Sequence, residues 1–129
     1  MHAVGPFDAK TTSQDDKLDP QLGRFLLDKQ YHGDLEGTGK GQMLTASTDV
    51  KGSAGYVAIE KVTGTLKGRN GSFILQHTGT MAAGKFHLEV AVVPDSGTEQ
   101  LKGISGKMTI TIAPDGKHSY DFEYALPAQ

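Results

Sequence analysis

One stretch limits the possible folds more than any other. Residues 55–66 and 72–81 are two β-rich runs, separated by the short segment Lys67-Gly-Arg-Asn-Gly71. Runs of this kind around Gly and Asn-Gly mark a β-hairpin. Three connections fit. A two-residue turn at Gly68-Arg69 suits type II′, and one at Asn70-Gly71 suits type I′. A longer even loop from Leu66 to Gly71 pairs the strands as the first turn does. In that register Glu60 lies opposite His77, Ala58 opposite Gly79, Val62 opposite Leu75 and Tyr56 opposite Met81. The Asn70-Gly71 turn slides the strands but keeps Glu60 and His77 on one face. An odd loop would separate them, because a one-residue slip inverts a strand.

The composition of the two faces favours an even loop. One face then carries Tyr56, Ala58, Glu60, Val62 and Gly64 with Phe73, Leu75, His77, Gly79 and Met81. The other carries Val57, Ile59, Lys61 and Thr63 with Ile74, Gln76, Thr78 and Thr80. The first is the more aromatic and is predicted to face inward. A carboxylate and an imidazole then sit among apolar neighbours, where burial raises the carboxyl pKa and ion pairing opposes the shift. A structural pair would look the same from sequence.

Strands are expected at residues 3–11, 24–36 (bent at Gly33), 42–50, 55–66, 72–81, 85–93, 101–112 (broken at Gly103 or Gly106) and 118–126. Pro6 points to an edge or a bulge in the first. Polar or glycine-rich loops separate them at residues 12–21, 37–41, 51–55, 82–84, 94–98 and 113–116. No amphipathic helix, internal repeat or linker interrupts the pattern. One all-β domain over residues 1–129 is expected, as an up-and-down barrel or a compact sandwich. Inward faces are assigned to Phe86, Leu88, Val90 and Val92, to Met108, Ile110 and Ile112, and to Tyr120, Phe122 and Tyr124. On the second strand the inward set is Phe25, Leu27, Lys29, Tyr31, Gly33 and Leu35; a bulge near Gly33 would instead turn Asp34 and Glu36 inward.

Composition excludes several functions. There is no cysteine, so disulfides, thiol catalysis and cysteine–zinc sites are ruled out. The net charge is −2 without a basic stripe, which argues against a nucleic-acid partner. No apolar run reaches the length of a membrane helix, and the first residues do not form a signal peptide, so a cytoplasmic location is the expectation. Asn70-Gly71-Ser72 matches a glycosylation sequon but reads as turn chemistry. Residues 79–85 imitate a phosphate loop and fail at Phe86, where Ser or Thr is needed. No nucleophile elbow is present. Five histidines occur without metal-ligand spacing; His87 and Glu89 share an outer face but read as a solvated pair. No metal or cofactor is expected.

The segments at residues 27–38, 52–60, 71–80, 93–97 and 121–124, among them Asp121-Phe-Glu-Tyr124, resemble a bacterial family, domain-of-unknown-function family 3224. That family is grouped with the allene oxide cyclase-like barrels. The resemblance implies a closed eight-stranded antiparallel β-barrel of allene oxide cyclase-like or lipocalin-like architecture. It also implies an interior that takes hydrophobic small molecules, in some relatives with cyclisation and often in oligomers. The plant cyclase residues do not align onto this chain, so none is carried over.

Together these readings give a candidate site. Glu60 and His77 are the acid/base or electrostatic candidates; Tyr31, Tyr56, Tyr120, Phe122 and Tyr124 are the ligand-binding candidates. The expected partner is a small apolar molecule, with a dimer or trimer possible through an outer face carrying Val57 and Ile59. A carrier, a cyclase or isomerase, and a purely structural module all remain open at this point.

Overall fold

The structure is a computed structural model and describes residues 1–127. Eight strands follow one another in chain order. They are β1 (His2–Gln14), β2 (Leu22–Tyr31), β3 (Leu35–Ser47), β4 (Ala54–Leu66), β5 (Arg69–Ala82), β6 (Lys85–Val92), β7 (Ser105–Ile112) and β8 (His118–Ala125). Each pairs antiparallel with the next, and β8 pairs with β1, closing a barrel. A 3-10 turn, Glu99–Leu101, lies between β6 and β7. Among the described residues no helix is long and apolar enough to cross a membrane.

The β4–β5 hairpin closes through Lys67 and Gly68, not through either two-residue turn expected. Leu66 pairs with Arg69, so Glu60 lies opposite Leu75 and Ala58 opposite His77. Lys67 and Gly68 have φ of 45° and 85°, the two left-handed residues of a type I′ turn. Glycine takes the second turn position here. Asn70 sits in β5, where its Oδ1 accepts from Thr65 Oγ1 at 2.6 Å. The loop length is still even, so Glu60 and His77 share a face as diagonal neighbours.

The second correction concerns residues 32–41. The chain reverses at His32, Gly33 (φ 95°) and Asp34, and residues 37–41 are strand interior rather than a turn. The glycines of β3 are there because other atoms come close. A Cβ on Gly39 would lie 1.9 Å from Glu60 Oε2. Leu35 therefore belongs to β3 and is fully buried. The Asp34 carboxylate accepts from Val4 N, and Glu36 accepts from Gly33 N and is exposed, so neither enters the interior. β1 runs three residues past its expected end at 11, and β7 starts at Ser105 because residues 99–103 turn. Pro6 is not at a bulge but at a local edge, paired on one side only. It pairs with Ser119 of β8, just past the last β1–β2 pair, Phe7 with Tyr31.

One half of the barrel is filled. Phe73 and Phe122 stack at 5.4 Å, and Phe122 and Tyr124 at 5.3 Å. Leu35, Val62, Leu66 and Leu75 pack around them, and Leu101 and Ile104 plug the end. The other half is open. Ala9, Thr11, Ser13, Met81, Phe86 and Ile112 have the alternation of inward residues yet are exposed. The strands therefore form a cup with a packed base and a wet mouth.

Candidate functional site

Where the packed half meets the open half, β2, β4 and β5 each contribute polar side chains to one cluster. Glu60 is completely buried. Its Oε1 accepts from His77 Nε2 at 2.8 Å and from Lys29 Nζ at 3.0 Å; its Oε2 accepts from the Tyr31 hydroxyl at 2.5 Å. Lys29 and His77 are 6 % and 2 % exposed, so the whole quartet is out of bulk water. The Lys29 ammonium also lies 5.1 Å from the Phe7 ring centroid and 5.8 Å from that of Tyr31, in reach of their negative faces.

Residue choice explains the local geometry. Lys29 and Tyr31 alternate along β2, so both point inward. Gly39 lies directly opposite Lys29 across the β2–β3 pair. Without a side chain there, the Glu60 carboxylate can reach the β2 donors. Burial by itself would push the Glu60 carboxyl up. The His77 hydrogen bond, the Lys29 charge and the Tyr31 hydrogen bond outweigh it and hold the group below its ordinary value. Burial, followed by the Glu60 charge, pushes the Tyr31 phenol far up, so it stays a hydrogen-bond donor.

Because Glu60 is ionised and has no proton to give, His77 must present Nε2–H to it. In the neutral imidazole that sets the tautomer and leaves Nδ1 as an acceptor. Nδ1 has no protein partner. Nδ1 is not fully enclosed, since no fully buried side-chain nitrogen or oxygen among the described residues lacks a partner, but His77 as a whole is 2 % exposed. The ammonium of Lys29 likewise has N–H groups beyond the one given to Glu60. The cluster is balanced in charge internally and still offers one acceptor and spare donors.

Above it lies a hollow of about 400 Å³ at the mouth, lined by Met43, Thr45, Tyr56, Gly79, Met81 and Phe86 among others. Tyr56 is half-buried, its ring lying over Gly79 and stacked toward Phe86 with centroids 6.4 Å apart. Burial, then the Glu60 charge, raises its phenol as well. Along β4 and β5 only Ala58 separates Tyr56 from Glu60 on this face, and Gly79 is the inward residue next to His77. No quartet residue lines the mouth hollow; Tyr56 and Gly79 stand between, and hollows of about 630 Å³ beside residues 15–21 and about 680 Å³ on the outer wall at Val57 and Ile59 do not touch the quartet either.

Of the residues singled out from sequence, Glu60, His77 and Tyr31 come together, and Tyr56 stands at the mouth above them. Tyr120, Phe122 and Tyr124 lie in the packed half. The Tyr120 hydroxyl donates to His32 O at 2.7 Å and accepts from Leu35 N at 2.8 Å, pinning the β2–β3 turn. Lys29 was not among the candidates. Its signal was present as the one charged residue on the apolar face of β2. No group of three His, Cys, Asp or Glu among the described residues is arranged to hold a metal.

Comparison with known proteins finds no curated protein that matches. A crystal structure of a protein of unknown function from the DUF3224 family of Shewanella oneidensis MR-1 is similar to this chain. The two share 45% sequence identity, and the match covers 100% of this chain and 98% of that one with a TM-score of 0.93. The family model described as protein of unknown function (DUF3224) matches residues 2–124, and the chain belongs to that family.

Proposed function

We propose that the protein binds a small, largely apolar molecule through the open end of the barrel, with the polar part of that molecule meeting Lys29 and His77 at the floor. One observation carries this reading. A buried, charge-balanced cluster keeps an unpartnered imidazole nitrogen and spare ammonium donors below an apolar hollow. Pockets that bind small molecules combine apolar walls with a few such polar groups. The reading is in keeping with what the sequence resemblance to allene oxide cyclase-like barrels implies.

Titration with N-phenylnaphthylamine, a neutral apolar fluorophore, tests it. Saturable fluorescence enhancement should accompany a shift of the His77 ring resonances. Enhancement without a His77 shift would put the probe outside the cup, and no enhancement would remove the reading.

A second reading treats the protein as an isomerase or cyclase, with His77 Nδ1 as the base and Glu60 as the residue that sets its tautomer. The Glu60–His77 bond at 2.8 Å favours it, because a carboxylate fixing one imidazole nitrogen leaves the other as the proton acceptor. Nitrogen-15 spectra of the imidazole check it. Nδ1 should resonate as an unprotonated nitrogen at neutral pH, and Glu60→Gln should redistribute the tautomers. A protonated Nδ1 in the natural protein would rule this reading out.

A further inference from the structure

The barrel has one seam that is barely joined. β5 pairs with β6 along all of β6, and β7 pairs with β8 along all of β7. Between β6 and β7 the only pair among the described residues is Ala91 with Lys107. Continuing that register would set Val90 against Met108, Leu88 against Ile110 and Phe86 against Ile112, but no such pairs form. Inward side chains on the two strands become exposed in step toward the mouth. Val90 and Met108 are buried at 2 % and 4 %, Leu88 and Ile110 are intermediate, and Phe86 and Ile112 are 55 % and 61 % exposed. Beyond the Ala91–Lys107 pair the seam is a slit in the hydrogen-bond ladder, flanked by apolar side chains whose exposure rises to the rim. It meets the mouth hollow at Phe86.

We infer that the ligand is a neutral single-chain amphiphile whose tail lies along this slit; the inference rests on the proposed binding function. The head group follows from the floor. Lys29 is already neutralised by Glu60, so a second anion would be buried without a counter-charge, which is costly. A hydroxyl can donate to His77 Nδ1 and accept from Lys29, using both unpartnered functions at once. The tail follows from the wall. Val90 to Phe86 is about 13 Å of strand at ~3.3 Å per residue, a length that octyl and dodecyl chains bracket. The slit is also a way in from the side, needing no rearrangement of the packed base.

Calorimetric titration with octanol, decanol and dodecanol tests this. Each methylene laid against the slit should tighten binding about fourfold, the ratio equivalent to ~0.8 kcal/mol. Leu88→Trp, which fills the slit, should flatten that length dependence. Ile112→Glu, at an exposed position that spares the fold, should flatten it independently. His77→Phe should weaken all three alcohols by a similar factor without changing the slope. Dodecanoate at pH 8 should bind less tightly than dodecanol; equal or tighter binding would overturn the head-group assignment. An unchanged slope in both slit variants, or alcohols that fail to bind while N-phenylnaphthylamine does, would overturn the slit assignment and leave the binding function standing. Failure of every alcohol and of the fluorophore would overturn both.

Discussion

Replacing Lys29 by Met keeps an unbranched apolar stem of similar length and removes only the ammonium. The carboxylate it faces is fully buried. Breaking a buried pair by removing one partner costs roughly 3–5 kcal/mol, because the remaining charge has no water to return to. Glu60 keeps the His77 and Tyr31 hydrogen bonds, so the lower end, about 3 kcal/mol at pH 7.5, is expected. For a domain of this length that is a Tm lower by roughly 10–15 °C. The pH dependence is the more specific test. In the natural protein the Glu60 pKa is depressed on folding. Its contribution is therefore present above the unfolded value of about 4.3 and is lost as pH falls through the lower folded value. In Lys29→Met the Lys29 charge no longer holds the carboxyl down, so its folded value rises relative to that in the natural protein. That variant gains relative stability as pH falls. The difference between the two proteins, measured by urea unfolding, should shrink steadily from pH 7.5 to pH 4.5. Adding Glu60→Gln to Lys29→Met, which removes the orphaned charge and retains an acceptor, should restore more than half of the loss. A difference that is constant with pH, or a double variant no better than the single one, would refute the electrostatic account.

Gly39→Ala places a methyl 1.9 Å from Glu60 Oε2 and should cost about 2 kcal/mol in urea unfolding, with a displaced His77 resonance; an unmoved resonance would contradict the close approach. Lys67→Asn puts a residue tolerant of φ near +45° into the type I′ turn and should raise stability by about 0.5 kcal/mol, seen as a higher midpoint; no gain would argue against the observed turn. Tyr120→Phe leaves Leu35 N without its partner and should cost roughly 1–3 kcal/mol while leaving binding of N-phenylnaphthylamine intact.

The barrel was legible because alternation alone separates inside from outside. Tyr120, Phe122 and Tyr124 alternate with Ser119, Asp121 and Glu123, and a parity argument needs only the chain. The hairpin register was not legible to better than two residues. Gly68 can occupy the first or the second turn position, and both choices preserve the faces. The glycines at 37, 39 and 41 misled for a physical reason. A glycine required because another atom lies close reads the same in sequence as one required by a turn. Only the fold brings Glu60 up against Gly39. Lys29 was visible on the inner face, but a lone lysine has no partner in one dimension. Its role appears when β2 and β4 are set on either side of β3.

A buried ion pair is weak support for stability, since an apolar pair of similar volume often does as well or better. The packed half of this barrel uses that alternative throughout: Val62, Leu66, Phe73, Leu75 and Phe122 fill it without a charge. The quartet begins where this packing stops, beside side chains of minimal size at Ala58 and Gly79, and beneath rim residues left exposed. Filling that level with larger apolar residues would have extended the core at no electrostatic cost. Instead, three donors converge on one carboxylate and leave an imidazole nitrogen without a protein partner. A purely structural pair would need the mutual satisfaction seen at Glu60 but not the unused acceptor, nor the hollow above it. Polar function left over after internal pairing, next to volume left over after packing, is what recognition of a small molecule requires.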